Sequence, residues 1–224
     1  MNAQDLERRL VDLERHYGGF TGRIKVAAAD ISPMDTRKNS GFERGGDRMS
    51  IDHHHYAPIY AEFMTAGMIT GPRVVVEVGI LTGVGLAIWA DVFPVGSRII
   101  GLDVAPTYFF DNYDNLKGRG AFLRNTIEAH KFDQYANNGY LVQSILRGDR
   151  IDMVIDDGCH QNGAIINTLR CLRPYLAEDF LYFVEDNATV SDDLAGAFPD
   201  LDVAPYRKGT RYKDSVLTVI RPKK

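Results

Sequence analysis

Leu6, Leu10, Leu13 and Tyr17 recur at helical spacing near the start of the chain, with charged residues between them. The period predicts an amphipathic helix over residues 4–17 that packs on the body of the protein or on a partner. Residues 34–50, rich in Gly, Arg and Asp, break the pattern and read as a loop. Tyr56, Tyr60, Phe63 and Met64 restore helical spacing within residues 53–69, with Pro58 near the helix start. From Arg73 the pattern changes. VVVEVGI at 74–80 is short, β-branched and almost wholly apolar. Such a run suits a strand buried on both faces of a parallel sheet. RIIGLDV at 98–104, IDMVIDD at 151–157 and FLYFVEDN at 180–187 are of the same kind, and another strand is expected near 128–133. Helices are expected through Trp89 and over 162–173. Two last runs, 200–207 and 214–222, flank KGTRYK and read as an antiparallel pair closing the sheet edge.

Strand and helix thus alternate without repeat or linker. The fold class expected is α/β: a Rossmann-like, doubly wound, mostly parallel seven-stranded sheet with an antiparallel C-terminal strand pair. Residues 1–70 are expected to form an N-terminal helical lid segment, and residues 71–224 the cofactor-binding domain.

Composition narrows the function more than the fold. Lys and Arg number 26 against 30 Asp and Glu, so the net charge of −4 gives no electrostatic reason to expect nucleic acid. Two cysteines, Cys159 and Cys171, are too few for a disulfide framework. No apolar run approaches the roughly 20 residues that span a bilayer. The charged first twenty residues lack the apolar stretch of a signal peptide. A cytoplasmic protein without a membrane partner is expected.

Candidate chemistry gathers at strand ends. The first buried strand runs into Glu77-Val78-Gly79-Ile80-Leu81-Thr82-Gly83. Glycines at a strand-to-helix turn let backbone approach a ligand closely, or they only make the turn tight. Asp103 ends the second strand, where a carboxylate can accept from both ribose hydroxyls of a cofactor. The spacing E-x-G-x-x-x-G is looser than the G-x-G-x-x-G that seats a pyrophosphate, which opposes a dinucleotide. Asp133 and Gln134 end the third strand, placed either to bind an adenine amino group or to make a surface turn.

The stretch Asp156-Asp157-Gly158-Cys159-His160 is the most informative. Adjacent carboxylates repel unless compensated, and a divalent cation, Mg²⁺ above all, is a common compensation at oxygen-rich sites. His160 offers an imidazole, which can take a proton from a substrate near neutral pH. Glu185, Asp186 and Asn187 end the next strand on the same sheet edge. Asp156 or Asp157, Asp186 and Asn187 are therefore candidates for one metal site, with His160 and Asp157 as catalytic residues. The plainer alternative makes Asp157 and Asp186 caps of the following helices.

VEVGILTGVG followed by IIGLDV resembles motifs I and II of class I S-adenosylmethionine-dependent methyltransferases. The IDDG-x-H and VEDN segments, with GGDR and HHHYAPIY upstream, look like the metal-dependent sugar O-methyltransferases of natural-product biosynthesis. Macrolide and rhamnosyl O-methyltransferases and the cephalosporin-hydroxylase-like group are of this kind. The likeness runs from Gly45 to Asn187. It implies S-adenosylmethionine as cofactor, held by Gly79 and Gly83 at its amino-acid end and by Asp103 at its ribose. It further implies that Glu77 orients the turn, and that Tyr56 and one histidine of His53–His55 close over the cofactor. Cofactor contacts are also expected of Asp133 and Asp156. Arg48 stands for the family's upstream Lys. Cys159 departs from the family's Ser, and Asn187 resembles the Asp-Asn pair of catechol O-methyltransferases. The three histidines have two further readings, a metal site and a polar helix start.

The reading is an enzyme that methylates a sugar hydroxyl or amino group of a small-molecule natural product, such as an antibiotic glycoside. Amino-sugar N-methylation in aminoglycoside biosynthesis is the nearest alternative. An oxidoreductase or hydroxylase on the same sheet and a non-catalytic binder are more distant ones. A homodimer through the first helix is also expected.

Overall fold

The computed structural model describes residues 1–18, 24–35, 43–44, 48–65, 67–209 and 215–223. Asn2 starts the first helix, α1 (Ala3–Tyr17), by accepting from the Asp5 amide at 2.9 Å. Gly18, at φ 93°, ends it in the left-handed conformation that glycine adopts without strain. A two-residue antiparallel ladder, β1 (Ile24–Lys25) with β2 (Glu43–Arg44), precedes α2 (Ala57–Met64). The buried stripe of α1, Leu6, Leu10 and Tyr17, packs on α2 and on α3 (Val84–Val92). The face that suggested a dimer is thus covered within the chain.

After β3 (Val74–Val78) the elements alternate through α3, β4 (Arg98–Asp103), α4 (Thr107–Gly118), β5 (Thr126–Lys131), α5 (Gly139–Leu146), β6 (Ile151–Asp156) and α6 (Asn162–Leu172). They end with β7 (Leu176–Val184), α7 (Val190–Ala197), β8 (Leu201–Tyr206) and β9 (Leu217–Pro222). The strands form one seven-stranded sheet in the order β5-β4-β3-β6-β7-β9-β8. The first five are parallel, and β9 runs antiparallel to both β7 and β8. The expected C-terminal pair is present, with β9 inside the sheet and β8 at its edge. Residues 210–214, between them, lie outside the described residues.

Two boundaries and one element differ from the sequence reading. The strand expected at 180–187 starts earlier and ends at Val184, so Glu185, Asp186 and Asn187 belong to a loop. The helix expected to begin near Pro58 does start there, at Ala57, but ends at Met64, short of residue 69. Helix α4 was not anticipated, because Asp111, Asn112, Asp114 and Asn115 are poor helix formers.

The sheet has an apolar layer on each face, and side-chain alternation assigns residues to them. Val75, Met153, Ile155 and Phe183 join the layer made with α1, α2 and α3. Val76, Val154, Tyr182 and Val184 join the layer made with α5, α6 and α7. A strand's side chains change face at every residue. Glu77, Asp157 and Glu185 therefore emerge on the α1–α2 side, while Asp156 emerges on the opposite one. That parity decides the composition of the site.

Candidate active site

At the C-terminal edge of β3 the chain turns through Gly79 at φ 82° and Gly83 at φ 80°. A Cβ on Gly79 would come within 2.3 Å of the Asp157 carbonyl oxygen, and one on Gly83 within 2.3 Å of the Phe109 ring. No side chain fits at either place. Asp103 ties this turn to the end of β4. Its Oδ2 accepts from the amides of Ile80 at 2.9 Å and Leu81 at 3.1 Å, and its Oδ1 from Ala105 at 2.8 Å.

The turn opens on a cavity of about 340 Å³, walled by Gly79, Leu81, Asp103, Asp133, His160 and Asp186 among others. Residues 26–35 cross it as a strap. Ser32 donates to Asp133 Oδ2 at 3.0 Å, and Tyr108 donates to Asp30 Oδ2 at 2.7 Å. Asp133 thus stands on the cavity wall rather than in a surface turn. Gln134 is wedged behind it. Its Nε2 donates to Asp156 Oδ1 at 2.8 Å and Thr168 at 2.9 Å, while its Oε1 accepts from the Cys159 amide at 2.5 Å.

Asp156 also accepts from the Tyr182 hydroxyl at 3.0 Å, so protein donors take both of its oxygens. It is buried on the far face of the sheet and reaches neither the cavity nor an ion shared with Asp157. Burial pushes its pKa up to about 7 against the bonds from Tyr182 and Gln134. Its folded pKa therefore lies above its unfolded one. Its contribution to stability is fully present below the ordinary carboxylate range and is lost as pH rises through about 7. Asp156→Asn should accordingly gain stability relative to the parent protein between pH 5 and pH 8. Unfolding midpoints of both proteins at the two pH values measure this. A difference that stays constant would mean that Asp156 is already ionised in the fold.

On the near face, Arg48 reaches three carboxylates. Its Nη1 donates to Glu77 Oε1 at 2.5 Å and its Nη2 to Asp157 Oδ2 at 2.6 Å, and Glu185 Oε2 lies 3.5 Å from its Nε. Its amide donates to Glu14 Oε1 at 2.9 Å. Glu77, fully buried, is thus the counter-ion of Arg48 and is not on the cavity wall. Burial lifts the pKa of Asp157 and Glu185 despite the pull of Arg48. Burial opposes the charge on Arg48 too, but Glu185, Glu77 and Asp157 together outweigh it and hold the guanidinium charged.

Asp157, His160 and Asp186 each offer a ligand atom, and these atoms all lie within 4.8 Å of one another. Arg48 holds Oδ2 of Asp157, and Tyr56 and His54 hold Oδ1 of Asp186, so these contacts occupy one oxygen of each carboxylate. This donor set fits a divalent cation. The sequence-predicted set of Asp156, Asp186 and Asn187 is not what converges. Asn187 Oδ1 accepts from the amides of Thr189 and Val190 at 2.8 Å each, and its Nδ2 donates to the His160 carbonyl at 2.9 Å. It braces the start of α7, the capping role considered for its neighbours.

Tyr56 is buried behind Asp186 and is not on the cavity wall. His55, at φ 58°, bonds through Nδ1 to the Lys208 carbonyl, and His54 faces Asp186. The three consecutive histidines do not aim at one ion. Gly45, Gly46 and Asp47 of the upstream motif lie outside the described residues. Two members of the site escaped sequence reasoning, Glu14 and Tyr60. Helical spacing puts Tyr60 on an apolar face and says nothing of its hydroxyl, which donates to Glu185 Oε1 at 2.5 Å. Glu14 had a legible signal, a carboxylate on the same helical stripe as Leu6, Leu10 and Tyr17.

No protein-family model and no curated protein matches the sequence. Solved structures do. One is a MycE methyltransferase from the mycinamycin biosynthetic pathway in complex with Mg, SAH and mycinamycin VI. It aligns at TM-score 0.57 and 17% identity over 96% of this chain and 55% of its own. The chain therefore spans about half the length of that protein. A putative O-methyltransferase from Klebsiella pneumoniae aligns at TM-score 0.53 and 14% identity, over 98% of this chain and 90% of its own. A ribosomal protein L11 methylase from Lactobacillus delbrueckii subsp. bulgaricus aligns at TM-score 0.52 and 14% identity, over 77% and 80%. At these identities the likeness is one of architecture: the chain has the Rossmann-like fold of the class I S-adenosylmethionine-dependent methyltransferases.

Proposed function

We propose that the chain transfers the methyl group of S-adenosylmethionine to a sugar hydroxyl, or a sugar amino group, of a small natural product such as an antibiotic glycoside. One observation carries the reading. The cluster of Asp157, His160 and Asp186 stands on the wall of the same cavity that the glycine turn and Asp103 enclose. Cofactor and acceptor would thus share one chamber. The MycE structure, which holds Mg, SAH and mycinamycin VI in the same fold, supports a small natural product as acceptor.

The turn at Gly79 and Gly83 would hold the cofactor's amino-acid end, with Asp103 at the ribose and Asp133 at the adenine. The strap of residues 26–35 would exclude water, as the part of the N-terminal segment that crosses the cavity. Asp157 and Asp186 would hold a divalent cation, which when bound lowers the pKa of an acceptor hydroxyl. A ring nitrogen bound to an ion has no lone pair for a proton. The ion is therefore assigned to the carboxylates and the proton to His160. His160 would take the acceptor's O–H proton as its oxygen attacks, and the bound cofactor would supply the methyl group from its sulfonium and leave as S-adenosylhomocysteine.

The test is incubation with labelled S-adenosylmethionine against a panel of sugar-bearing antibiotics and aminoglycosides, with and without EDTA. Label in a glycoside, lost with the chelator, supports the reading. Transfer to none of the panel sinks the acceptor class, and full transfer in EDTA removes the ion. Cofactor choice has its own measurement. Calorimetry should show S-adenosylhomocysteine bound at least about tenfold more tightly than NAD, about 1.4 kcal/mol. Asp103→Ala should cost that binding roughly 1–3 kcal/mol, because the ribose hydroxyls would be left without their acceptor. Preference for NAD would overturn the assignment.

A further inference from the structure

The histidine-tyrosine segment upstream of α2 packs against Asp186, with His54 on the cavity wall and Tyr56 behind it. The Tyr56 hydroxyl donates to Asp186 Oδ1 at 2.5 Å and accepts from the Asp186 amide at 3.2 Å. It thereby grips the residue by side chain and backbone together. His54 Nδ1 lies 2.9 Å from the same oxygen, and the Ser215 hydroxyl lies 2.8 Å from that Nδ1. A carboxylate only accepts, so the chemistry places the His54 proton on Nδ1. Both donors occupy Oδ1 of a residue that belongs to the Asp157, His160 and Asp186 cluster.

The backbone makes such a grip necessary. Asp186 sits at φ 55° and His55 at φ 58°, left-handed conformations that cost a non-glycine residue energy unless its surroundings hold it. Asp186 also stands in the loop after β7, where no sheet ladder fixes it. Tyr56 is 1% exposed and anchored in the apolar layer beside Tyr60 and Met64, so its hydroxyl is a fixed point.

We propose that Tyr56 and His54 are positioning residues that set the Asp186 carboxylate as a ligand, making the segment before α2 the outer shell of the ion site. The proposal rests on the metal reading above. Partners behind a ligating carboxylate fix its orientation, and their loss typically costs roughly 10–100-fold in metal affinity or activity.

The probe is Mn²⁺, titrated into the whole protein by calorimetry and by its electron-spin resonance signal. Tyr56→Phe keeps the ring and removes only the hydroxyl. It should weaken Mn²⁺ binding roughly 10–100-fold and lower kcat, with S-adenosylhomocysteine affinity unchanged. His54→Ala should act in the same direction, and His54→Gln, which keeps a donor, should recover most of the loss. Circular dichroism and the melting temperature show whether each variant is folded. Folded Tyr56→Phe and His54→Ala proteins that bind Mn²⁺ like the parent would overturn the outer-shell role and leave the metal reading intact. A parent protein that binds no Mn²⁺ at millimolar concentration would overturn both.

Discussion

Replacing His160 with alanine is expected to lower kcat by roughly 10²–10⁴, the range typical of a lost general base. Cofactor affinity should hardly change, because Gly79, Gly83 and Asp103 lie at the ends of β3 and β4, whereas His160 follows β6. The side chain is not a structural pivot. The loop that carries it is held from behind instead, by the Cys159 amide bonded to Gln134 and by the His160 carbonyl bonded to Asn187. Removing the imidazole leaves those bonds in place. Steady-state kinetics on a folded variant, with cofactor binding measured alongside, decides the matter. A near-normal kcat would end the role of His160 as base while leaving methyl transfer itself standing. Loss of folding would assign the residue to structure.

The largest effect on stability should come from Arg48. Arg48→Met removes the guanidinium but keeps much of the side chain's volume. Glu77, which is fully buried, would lose its counter-ion, and Asp157 and Glu185 would face it uncompensated. Breaking one partner out of a buried ion cluster costs about 3–5 kcal/mol, because a charge is left without compensation in a low-dielectric interior. Denaturant unfolding should show that loss as a lower midpoint. Arg48→Lys should fall between the two, since one ammonium cannot span three carboxylates as the guanidinium fork does. Arg48→Met combined with Glu77→Gln should recover part of the loss, because a neutral amide in place of the Glu77 carboxylate no longer needs a cation. A melting temperature unchanged in Arg48→Met would mean that the carboxylates are neutral in the fold and that Arg48 is dispensable.

The sheet was legible in the sequence because burial on both faces imposes apolar, β-branched runs, a local property read residue by residue at 74–78, 98–103 and 151–156. The glycine turn was legible for the same kind of reason. Positive φ at Gly79 and Gly83 is a demand of the local backbone, and only glycine meets it cheaply. That Asp103, Asp157, His160 and Asp186 stand at one edge also follows locally, since parallel strands end on the same side. Which of the clustered acids meet did not follow. Asp156 and Asp157 are neighbours in sequence and lie on opposite faces of the sheet, and the strand boundary that sets their parity depends on pairing with β3 and β7. Arg48 arrives from a loop 29 positions before Glu77 and 109 before Asp157, and Glu14 from a helix whose period predicts packing but not the partner of a buried carboxylate. Tyr56 read as part of a lid, but the packing of α2 puts its hydroxyl behind Asp186. Local periodicity determined the sheet and the turn. The charge-balanced cluster was decided by tertiary packing, because a buried carboxylate takes whatever donor or cation the fold brings to it.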